Sequence, residues 1–525
     1  MNPTTDIDRL AQWAREQPDK AAVRLIDGEQ VRSLSYAELD ARSTQAAHWL
    51  IALGLRPGDG LALLMENRLD LFVLGWAARR AGLYYTPVSP HLHPSEVAYI
   101  LNDCEARLLI GTQQTLELAR RIQTGDETNG WDGLRYLLDG KAAGWRGVAE
   151  ELECHPSDAI LPQCPLGRDF LYSSGTTGKP KGIKRPLTPY AERMRDSYDA
   201  ILWREYFGLG RESVYLTMAP LYHAAPLRTV MRNIEWGGAS IVTRRFDALA
   251  ALRIIADWRV THSQWVPTMM IRMLALPQEV RQAADLSSTQ VAIHAAAPCP
   301  PDVKRGMIEW WGPVWYEYYG GSESIGLTAI DSAQWLQKPG SVGRAMIGKI
   351  HIKDDQGNEL PAGRQGHIYF SGTPRFEYHN DPAKTAAAYD AQGCATFGDI
   401  GHVDEDGFLF LSGRRTDLIL SGGVNIYPQE VENLLATYPG VTDVAVIGVP
   451  HPEFGEEVRA VVELVNPADA SPELAAALID FCRQHLAHLK CPRSVDFVQR
   501  LPRSENGKLY KRRLMEQYAA AHQPV

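Results

Sequence analysis

A loop rich in hydroxyl groups and glycines is the part of this sequence best suited to chemistry. Residues 170–182 read Phe-Leu-Tyr-Ser-Ser-Gly-Thr-Thr-Gly-Lys-Pro-Lys-Gly, and the polar core of the loop is Ser173, Ser174, Gly175, Thr176, Thr177, Gly178 and Lys179. Hydroxyls, backbone N–H groups and a cation in one loop suit the binding of a polyphosphate. The P-loop of ordinary nucleotide hydrolases differs, because four residues separate its Gly from Gly-Lys and a Ser or Thr follows. The sequence therefore predicts a nucleotide phosphate site of another kind.

The whole pattern of residues 172–182 resembles the phosphate loop of the adenylate-forming superfamily. That superfamily includes acyl-CoA synthetases, adenylation domains of peptide synthetases and beetle luciferases. A Ser/Gly-rich surface turn is the alternative for a lone loop of this composition. Motifs that resemble those of the family continue in the family order to residue 508, so the resemblance covers essentially the whole chain. It implies ATP, Mg²⁺ and, as a co-substrate, CoA.

Two further motifs resemble family segments that border the substrates. Pro220-Leu221-Tyr222-His223 resembles the segment at the acyl pocket, which implies that His223 lies at the pocket mouth and gates it. His294-Ala295-Ala296-Ala297-Pro298 resembles the turn whose backbone lies against adenine, which implies contacts from Ala296, Ala297 and Pro298. Close approach requires small side chains, although alanine lacks the conformational freedom of glycine. The alternative for His223 is a purely structural role, and the alternative for residues 294–298 is a simple turn between a strand and a helix.

Tyr318-Tyr319-Gly320-Gly321-Ser322-Glu323 resembles the Tyr-Gly-x-Thr-Glu motif of the family, with serine in place of threonine. The resemblance implies that Tyr319 and Gly320 lie at the adenine and that the hydroxyl of Ser322 reaches the α-phosphate. It also implies that Glu323 is a ligand of Mg²⁺, a cation that prefers one or two carboxylates together with waters and substrate phosphates. A solvated loop charge is the alternative for Glu323 alone.

A hairpin is predicted to carry the ribose site. Phe397-Gly398-Asp399 and Gly413-Arg414 flank it, and residues 404–407, Asp-Glu-Asp-Gly, form its turn. The resemblance implies that Asp399 accepts hydrogen bonds from both ribose hydroxyls and that Arg414 also reaches the ribose. A surface ion pair is the alternative.

The C-terminal part of the chain holds two more motifs. The loop with Ser421, Gly422 and Gly423 resembles the one that lines the pantetheine tunnel of acyl-CoA synthetases. The Gly-Lys sequence that ends at Lys508 resembles the motif of the catalytic lysine. The family hinge position is Asp or Lys, whereas this chain has Thr416 there. The resemblance implies that the C-terminal domain rotates between the two half-reactions.

The elements that must position these motifs alternate between strand-like and helix-like segments. Residues 61–65, 68–81 and 84–88 read as strand, helix and strand, and 97–102 and 108–111 continue the series. This order predicts parallel sheets covered by helices. After residue 415 the sequence reads as a helix at 429–437, strands at 441–449 and 458–465, and a helix at 472–488. We expect an α/β fold with a large N-terminal domain of helix-covered sheets, residues 1–415, and a small mobile α+β C-terminal domain, residues 416–525.

Composition limits the class of protein. The chain has 525 residues, of which 45% are hydrophobic and 22% charged, and a net charge of −9. The negative charge argues against nucleic acid as a partner, because binding it needs a basic surface. The seven cysteines are scattered and lack Cys-x-x-Cys spacing, which is typical of a reducing compartment. The sequence shows no secretory signal and no uninterrupted apolar run of about 18 residues. These features together predict a cytoplasmic protein without a membrane span. The oligomeric state stays open, a homodimer included.

The predicted enzyme is an AMP-forming acyl-CoA synthetase that activates a carboxylic acid with ATP and transfers it to CoA. A stand-alone ligase that loads a carrier protein and a non-catalytic acyl or nucleotide sensor are the alternatives. The joint presence of Lys508, Glu323, Asp399 and Arg414 argues against the sensor.

The expected lining of the acid pocket, which includes residues 265–269 (Trp-Val-Pro-Thr-Met), is apolar and has no Arg or Lys to pair with a second carboxylate. A charged distal group would be buried unpaired at considerable cost. The sequence therefore predicts a monocarboxylic acid with a hydrophobic body, either a medium-to-long fatty chain or a bulky aryl or alicyclic ring, rather than acetate, an amino acid or a diacid.

Overall fold

The chain divides into two compact units. The computed structural model describes residues 8–124, 131–173, 180–196, 198–414, 417–421, 424–451, 454–504 and 509–521. The first unit comprises Met1–Trp265, Ala283–Ala292 and Arg375–Thr385, and the second comprises Val266–Gln282, Ile293–Pro374 and Ala386–Val525. Among the described residues, no helix is both long enough and apolar enough to cross a membrane.

Helices and strands alternate along most of the first 265 residues. In chain order the elements are α1 (Arg9–Glu16), β1 (Ala21–Asp27), β2 (Gln30–Ser35), α2 (Tyr36–Ala52), β3 (Gly60–Leu64), α3 (Asp70–Arg80), β4 (Tyr84–Val88), α4 (Pro94–Asp103), β5 (Ala106–Gly111), α5 (Leu116–Thr124), β6 (Leu134–Leu137), β7 (Arg146–Gly147), α6 (Val148–Glu153), β8 (Arg168–Asp169), β9 (Leu171–Ser173), β10 (Lys181–Ile183), α7 (Tyr198–Glu205), β11 (Val214–Thr217), α8 (Ala224–Glu235), β12 (Ala239–Thr243), α9 (Ala248–Asp257) and β13 (His262–Trp265).

From residue 266 onward the elements are α10 (Pro267–Leu274), α11 (Gln278–Ala283), β14 (Val291–His294), α12 (Pro301–Trp311), β15 (Trp315–Gly320), β16 (Leu327–Asp331), α13 (Ser332–Gln337), β17 (Ser341–Ile347), β18 (Lys349–Lys353), β19 (Gly366–Ser371), α14 (Pro382–Ala387), β20 (Asp399–Val403), β21 (Leu409–Arg414), β22 (Ile419–Ser421), β23 (Val424–Ile426), α15 (Pro428–Leu435), β24 (Val441–His451), β25 (Gly455–Leu464), α16 (Pro472–His485), β26 (Ser494–Val498) and α17 (Lys511–Ala521).

The first unit is built mainly on parallel strands. One sheet, with the strand order β7-β6-β5-β3-β4-β8, is parallel throughout, and a second series runs β13-β11-β12-β1-β2, in which β1 and β2 are antiparallel. β9 and β10 form a separate antiparallel pair. Every residue of β3 and β4 is buried, as expected of parallel strands that helices cover on both faces. The α/β class predicted for the N-terminal part of the chain is confirmed.

The second unit contains an antiparallel series of strands and a smaller sheet. The series runs β18-β19-β20-β21-β17-β16-β15, and the smaller sheet has the order β23-β22-β25-β24 with β26 parallel to β25. Residues from the smaller sheet, α15 and α16 form one hydrophobic core, which includes Val431, Leu435, Val446, Val462 and Leu478. The predicted α+β texture after residue 415 is confirmed. The boundary between residues 415 and 416 and the mobility of the C-terminal domain stay predictions.

The predicted hairpin of residues 397–414 is also present. β20 and β21 are antiparallel, with Asp399 opposite Arg414. Asp404 closes the turn, because its Oδ1 accepts hydrogen bonds from the backbone N–H groups of Asp406 and Phe408, at 3.0 and 2.9 Å. The hairpin therefore brings the two residues of the predicted ribose site into register.

Acid is expected to destabilise the fold through His262 on β13. This side chain is 3% exposed, and its Nε2 lies 2.9 Å from the carbonyl oxygen of Phe207. Burial lowers the pKa of His262 to about 4. An unfolded histidine has a pKa near 6.5, so the unfolded chain binds more protons between these values. The free energy of unfolding is therefore unaffected by His262 above about pH 6.5 and falls as the pH is lowered from there through 4. One pKa unit corresponds to about 1.4 kcal/mol, so the total decrease is roughly 3 kcal/mol.

Denaturant titrations of the wild type and of His262→Gln at several values between pH 7 and pH 4 measure this effect. The variant is expected to have a lower free energy of unfolding at pH 7 and a flatter dependence on pH. Parallel curves for the two proteins would show that His262 does not carry the pH dependence.

Candidate active site

The strands on either side of the phosphate loop form an antiparallel pair. β9 and β10 place Lys181 opposite Ser173 and Gly182 opposite Tyr172. A Cβ atom on Gly182 would lie 2.9 Å from the rings of both Phe170 and Tyr172, so glycine is required there. Only the backbone of Ser173 is described, and Ser174, Gly175, Thr176, Thr177, Gly178 and Lys179 lie outside the described residues. Their phosphate contacts stay predictions.

His223 is the residue immediately before α8 in the first unit. Its backbone is extended, with φ −90° and ψ 148°, and its N–H donates to the carbonyl oxygen of Pro220 at 3.2 Å. The centroid of its ring lies 4.5 Å from that of Tyr222, and the planes are tilted by 57°. The half-buried ring is therefore held between a turn and a helix terminus. Its role as a gate stays a prediction.

The turn predicted to lie against adenine follows β14 in the second unit. Ala295 is buried, whereas Ala296 and Pro298 are exposed and Ala297 is half-buried. Ala296 has a φ of +76°, a conformation that costs a residue with a Cβ atom about 1–2 kcal/mol. Backbone strain of this kind clusters at functional sites, where the surroundings enforce it. The exposed small side chains leave the backbone of the turn accessible to a flat ligand.

Ala296→Gly is expected to leave the free energy of unfolding unchanged or to raise it by about 1 kcal/mol, because relief of the strain outweighs the entropy that glycine adds to the unfolded chain. Ala297→Gly is the matched control. The φ of Ala297 is not positive, so this variant should lose about 0.5–1 kcal/mol. Equal losses in the two variants, measured by denaturant unfolding, would contradict strain at Ala296.

A hydrogen bond joins two of the predicted nucleotide residues. The hydroxyl of Tyr319, on β15, donates to Oδ2 of Asp399, the first residue of β20, at 2.6 Å. Asp399 is 7% exposed. An ionised carboxylate has about four acceptor positions, so Asp399 can accept from ribose hydroxyls in addition to Tyr319. The bond fixes the orientation of the carboxylate and the ring together, although the two residues are 80 positions apart in the chain.

Two phenylalanines surround this pair. The centroid of Phe397 lies 5.6 Å from that of Tyr319 in an edge-on arrangement, and that of Phe370 lies at 6.3 Å. Two glycines leave room for them, because a Cβ atom on Gly321 would lie 2.4 Å from Phe397 and one on Gly326 would lie 2.0 Å from Phe370. Sequence reasoning gave no role to Phe370, and no local signal could have provided one, since β19 and β15 are not neighbours in the sheet.

Glu323 lies in a tight turn directly after β15. The N–H of Ser324 donates to the carbonyl oxygen of Gly321 at 3.1 Å, which closes the turn around Ser322 and Glu323. Ser324 has a φ of +56°, so the turn carries backbone strain, as Ala296 does. Ser322 and Glu323 are both half-buried. Gly320 is exposed at the end of β15, so that the turn projects from the strand that carries Tyr319.

The remaining predicted residues are described only in part. Arg414 pairs with Asp399 through the backbone, and its side chain lies outside the described residues. Ser421 ends β22 opposite Val424, while Gly422, Gly423 and Lys508 are not described. The hinge position, Thr416, is not described either.

Ion pairs hold the chain on both sides of Lys508. Arg503 donates to both carboxylate oxygens of Asp443, at 2.5 and 2.7 Å, and Nζ of Lys511 lies 2.6 Å from Oε1 of Glu432. The carboxylate of Glu432 in turn accepts from the backbone N–H of Val446 on β24, at 2.7 Å. Of the residues that flank the predicted catalytic lysine, Arg503 is therefore held to β24 and Lys511 to α15.

The described part of the second unit brings together several residues that the sequence predicts to bind the nucleoside. A carboxylate and an aromatic ring lie together at the predicted ribose and adenine positions, with a strained small-residue turn and an acidic turn in the same unit. Among the described residues, no group of three or more His, Cys, Asp or Glu side chains could hold a metal ion by itself. A cation at Glu323 would therefore depend on phosphate oxygens as further ligands.

Known proteins resemble the chain along nearly its whole length. The family model of the AMP-binding enzymes matches residues 10–376, and that of the AMP-binding enzyme C-terminal domain matches residues 430–508. A feruloyl-CoA synthase of an Amycolatopsis species is 34% identical over 514 residues, which cover 96% of this chain and 97% of that protein. The long-chain-fatty-acid–CoA ligase FadD13 of Mycobacterium tuberculosis is 31% identical over 500 residues, which cover 93% of each chain.

Solved structures agree with these matches. The ATP-bound crystal structure of MatB from Rhodopseudomonas palustris superposes with a TM-score of 0.81 at 28% identity. The superposition covers 98% of this chain and 100% of MatB. The similarity therefore includes the fold and the order of the two family regions along the chain.

Proposed function

Since this chain belongs to the AMP-binding enzyme family and is an AMP-forming CoA ligase, we propose that it activates a monocarboxylic acid with a hydrophobic body. The acid is converted by ATP into an acyl-adenylate, and its acyl group is then transferred to the thiol of CoA. The observation that supports nucleotide activation most directly is the hydrogen bond between Tyr319 and Asp399, which joins residues of two motifs that resemble the family's nucleotide motifs.

Activation by adenylation solves a chemical problem of the acid. A free carboxylate is a poor electrophile, because its charge repels nucleophiles and oxide is a very poor leaving group. In the first half-reaction a carboxylate oxygen attacks the α-phosphorus of ATP, the bond to the β-phosphate oxygen breaks, and pyrophosphate leaves. In the second the thiolate of CoA attacks the carbonyl carbon, and AMP leaves. Rate enhancement in such transfers comes mainly from positioning and from electrostatic stabilisation.

Each part of the site has a role in this scheme. Asp399 and Arg414 hold the ribose, and Tyr319 with residues 296–298 and Gly320 holds the adenine. Ser322 and the loop of residues 173–179 bind the phosphates, and Lys508 offsets the charge that develops as pyrophosphate leaves. His223 gates the acid. Support for these roles comes from the described geometry of Tyr319, Asp399 and the acidic turn, and from the family motifs elsewhere.

Glu323 fits the requirements of a magnesium ligand. It presents a hard carboxylate from a turn beside Tyr319, and Mg²⁺ is commonly held by one or two carboxylates, waters and substrate phosphates rather than by a protein cage. When bound, Mg²⁺ supplies positive charge to the phosphate oxygens. The chain itself contributes the turn that presents the carboxylate, which is closed by the hydrogen bond from the N–H of Ser324 to the carbonyl oxygen of Gly321.

The second half-reaction requires a different arrangement of the C-terminal part. We propose that residues 416–525 rotate after adenylation, so that Lys508 withdraws and the loop with Ser421, Gly422 and Gly423 lines the passage for pantetheine. Domain rearrangements of this kind complete a catalytic site only when it is needed. The glycines of the loop allow backbone conformations that other residues avoid.

The proposed acid class rests on the apolar residues that the sequence predicts to line the acid pocket. Trp265, Val266 and Met269 are at most 7% exposed, and the segment that contains them has no cation to pair with a second carboxylate. The relatives named for ferulate and for long-chain fatty acids act on acids with hydrophobic bodies, which supports the same class here.

A competition experiment tests the acid class. Octanoate, a cinnamate-type acid, acetate and a dicarboxylate are offered together with ATP and CoA, and the acyl-CoA products are separated and quantified. Octanoate or the cinnamate-type acid should dominate. Preferential use of acetate or of the diacid would overturn the proposed acid class. Transfer to a phosphopantetheinyl carrier protein with no transfer to CoA would overturn the assignment of CoA as the acyl acceptor.

A further inference from the structure

A lysine and a glutamate in the second unit form an ion pair away from solvent. Lys304 on α12 is fully buried, and its Nζ lies 2.6 Å from Oε2 of Glu317 on β15. Nε2 of His294, which ends β14 and is also fully buried, lies 3.4 Å from the same oxygen. Nζ of Lys304 lies 5.0 Å from the centroid of the Trp335 ring. Neither side chain of the ion pair takes part in the two half-reactions.

Both members of the pair lie close in the chain to the nucleotide motifs. Lys304 is near the start of α12, which begins at Pro301, directly after the turn with Ala296. Glu317 precedes Tyr319 by two positions on β15, and alternate residues of a strand share a face. The 2.6 Å contact therefore joins the helix that follows the adenine turn to the strand that carries Tyr319.

Burial of this ion pair costs folding free energy, so its presence beside the nucleotide motifs indicates a role other than stability. Taking two charges out of water usually costs more than packing apolar residues of similar volume at the same place. Burial raises the pKa of Glu317, and burial together with the charge of Lys304 holds the pKa of His294 well below its usual value. The lowered pKa favours the neutral form of His294, and the shorter contact identifies Lys304 as the ion-pair partner of Glu317.

The strained turn is a second and independent observation. Ala296, at φ +76°, lies between His294 and Lys304 in the chain. A strained backbone conformation persists only where the surrounding structure over-determines it. An ion pair that fixes the start of α12 against β15 supplies such a constraint.

We propose that Lys304 and Glu317 are positioning residues for the nucleotide, and that their ion pair holds the adenine turn and Tyr319 at the separation that adenosine requires. The proposal rests on the proposed function. The pair acts through the turn and the strand and takes no part in the chemical steps. Its loss is expected to weaken ATP binding more than it affects the Michaelis constant for the acid.

The experiment compares stability with ATP affinity in the full chain. Lys304→Met, Glu317→Leu and the double variant are assayed by denaturant unfolding and by calorimetric titration with ATP. Each single variant leaves one buried charge unpaired, so each should lose both stability and affinity. The double variant should regain most of the stability, because apolar side chains avoid the desolvation cost. It should still bind ATP about tenfold more weakly than the wild type, a difference of about 1.4 kcal/mol.

A matched control breaks another buried lysine pair of the same unit. Lys353 is 3% exposed, and its Nζ lies 2.5 Å from Oδ2 of Asp390. Lys353→Met should lower stability and leave the ATP affinity unchanged. Glu317→Gln replaces the apolar variants if these do not fold. It keeps the side-chain volume and a hydrogen-bond acceptor for Lys304, so it should weaken ATP binding by less than the double variant does.

The outcomes separate this inference from the proposed function. Wild-type ATP affinity in the double variant or in Glu317→Gln would overturn the positioning role, as would an equal loss of affinity in Lys353→Met. Both results leave the ligase assignment intact. A wild-type chain that binds no ATP would overturn the proposed function itself, and the positioning role with it.

Discussion

Lys508→Ala is expected to slow adenylation by about two to three orders of magnitude and to leave most of the transfer from a supplied acyl-adenylate to CoA. The reason is that Lys508 stabilises charge only while pyrophosphate leaves, in the first half-reaction. An interaction made only in one transition state affects only the step that passes through it. Pyrophosphate release measures the first half-reaction, and formation of acyl-CoA from the supplied adenylate measures the second.

Lys490→Ala is the matched control for this variant. Lys490 lies in the same C-terminal part of the chain and pairs with Glu430 at 2.7 Å on the surface. Its removal deletes the same charge, so both half-reactions should stay within about twofold of the wild type, as expected of an exposed ion pair. Equal losses of both half-reactions in Lys508→Ala would contradict the use of two conformations.

Glu323→Gln is expected to require a much higher magnesium concentration for turnover and to lower the rate at saturating ATP by about 10²-fold or more. The substitution keeps the volume of the side chain and the turn closed by Ser324 and Gly321, and removes only the charge that suits a hard cation. Stability should therefore change little. The measurement is a magnesium titration of pyrophosphate release alongside denaturant unfolding.

Glu309→Gln provides the comparison, because Glu309 is an exposed carboxylate on α12 of the same unit. Its magnesium curve should overlay that of the wild type. If the curve of Glu323→Gln also overlaid it, Glu323 would not be the magnesium ligand.

Much of the fold was predictable because its determinants are local. β4 occupies residues 84–88, as predicted from an apolar run bounded by turn residues. The helix predicted from residue 68 begins instead at Asp70. A carboxylate in the first turn favours the helix dipole, whereas the cation of Arg68 lies outside and pairs with Asp70 and Asp139. The helix predicted to reach residue 488 ends at His485, because Leu486 takes an extended conformation.

The site was predictable only as far as its motifs are contiguous in the sequence. The family resemblance named Tyr319 and Asp399 separately, but their hydrogen bond depends on how β15 and β20 are placed in the sheet. The same holds for the ion pair of Lys304 with Glu317, since a lysine in an amphipathic helix ordinarily indicates a solvated face. The strain at Ala296 could be anticipated as a cost of alanine in that turn, whereas the sign of φ required the structure.

The most direct test of the whole account is a nucleotide balance. The chain is incubated with ATP, magnesium and octanoate or a cinnamate-type acid, with and without CoA, and AMP, ADP, pyrophosphate and phosphate are quantified. With CoA the account predicts equal amounts of AMP, pyrophosphate and acyl-CoA, all of which depend on the acid. Without CoA it predicts pyrophosphate and an equal amount of acyl-adenylate, which retains the AMP. Release of ADP and phosphate, or turnover that is independent of any acid, would contradict it.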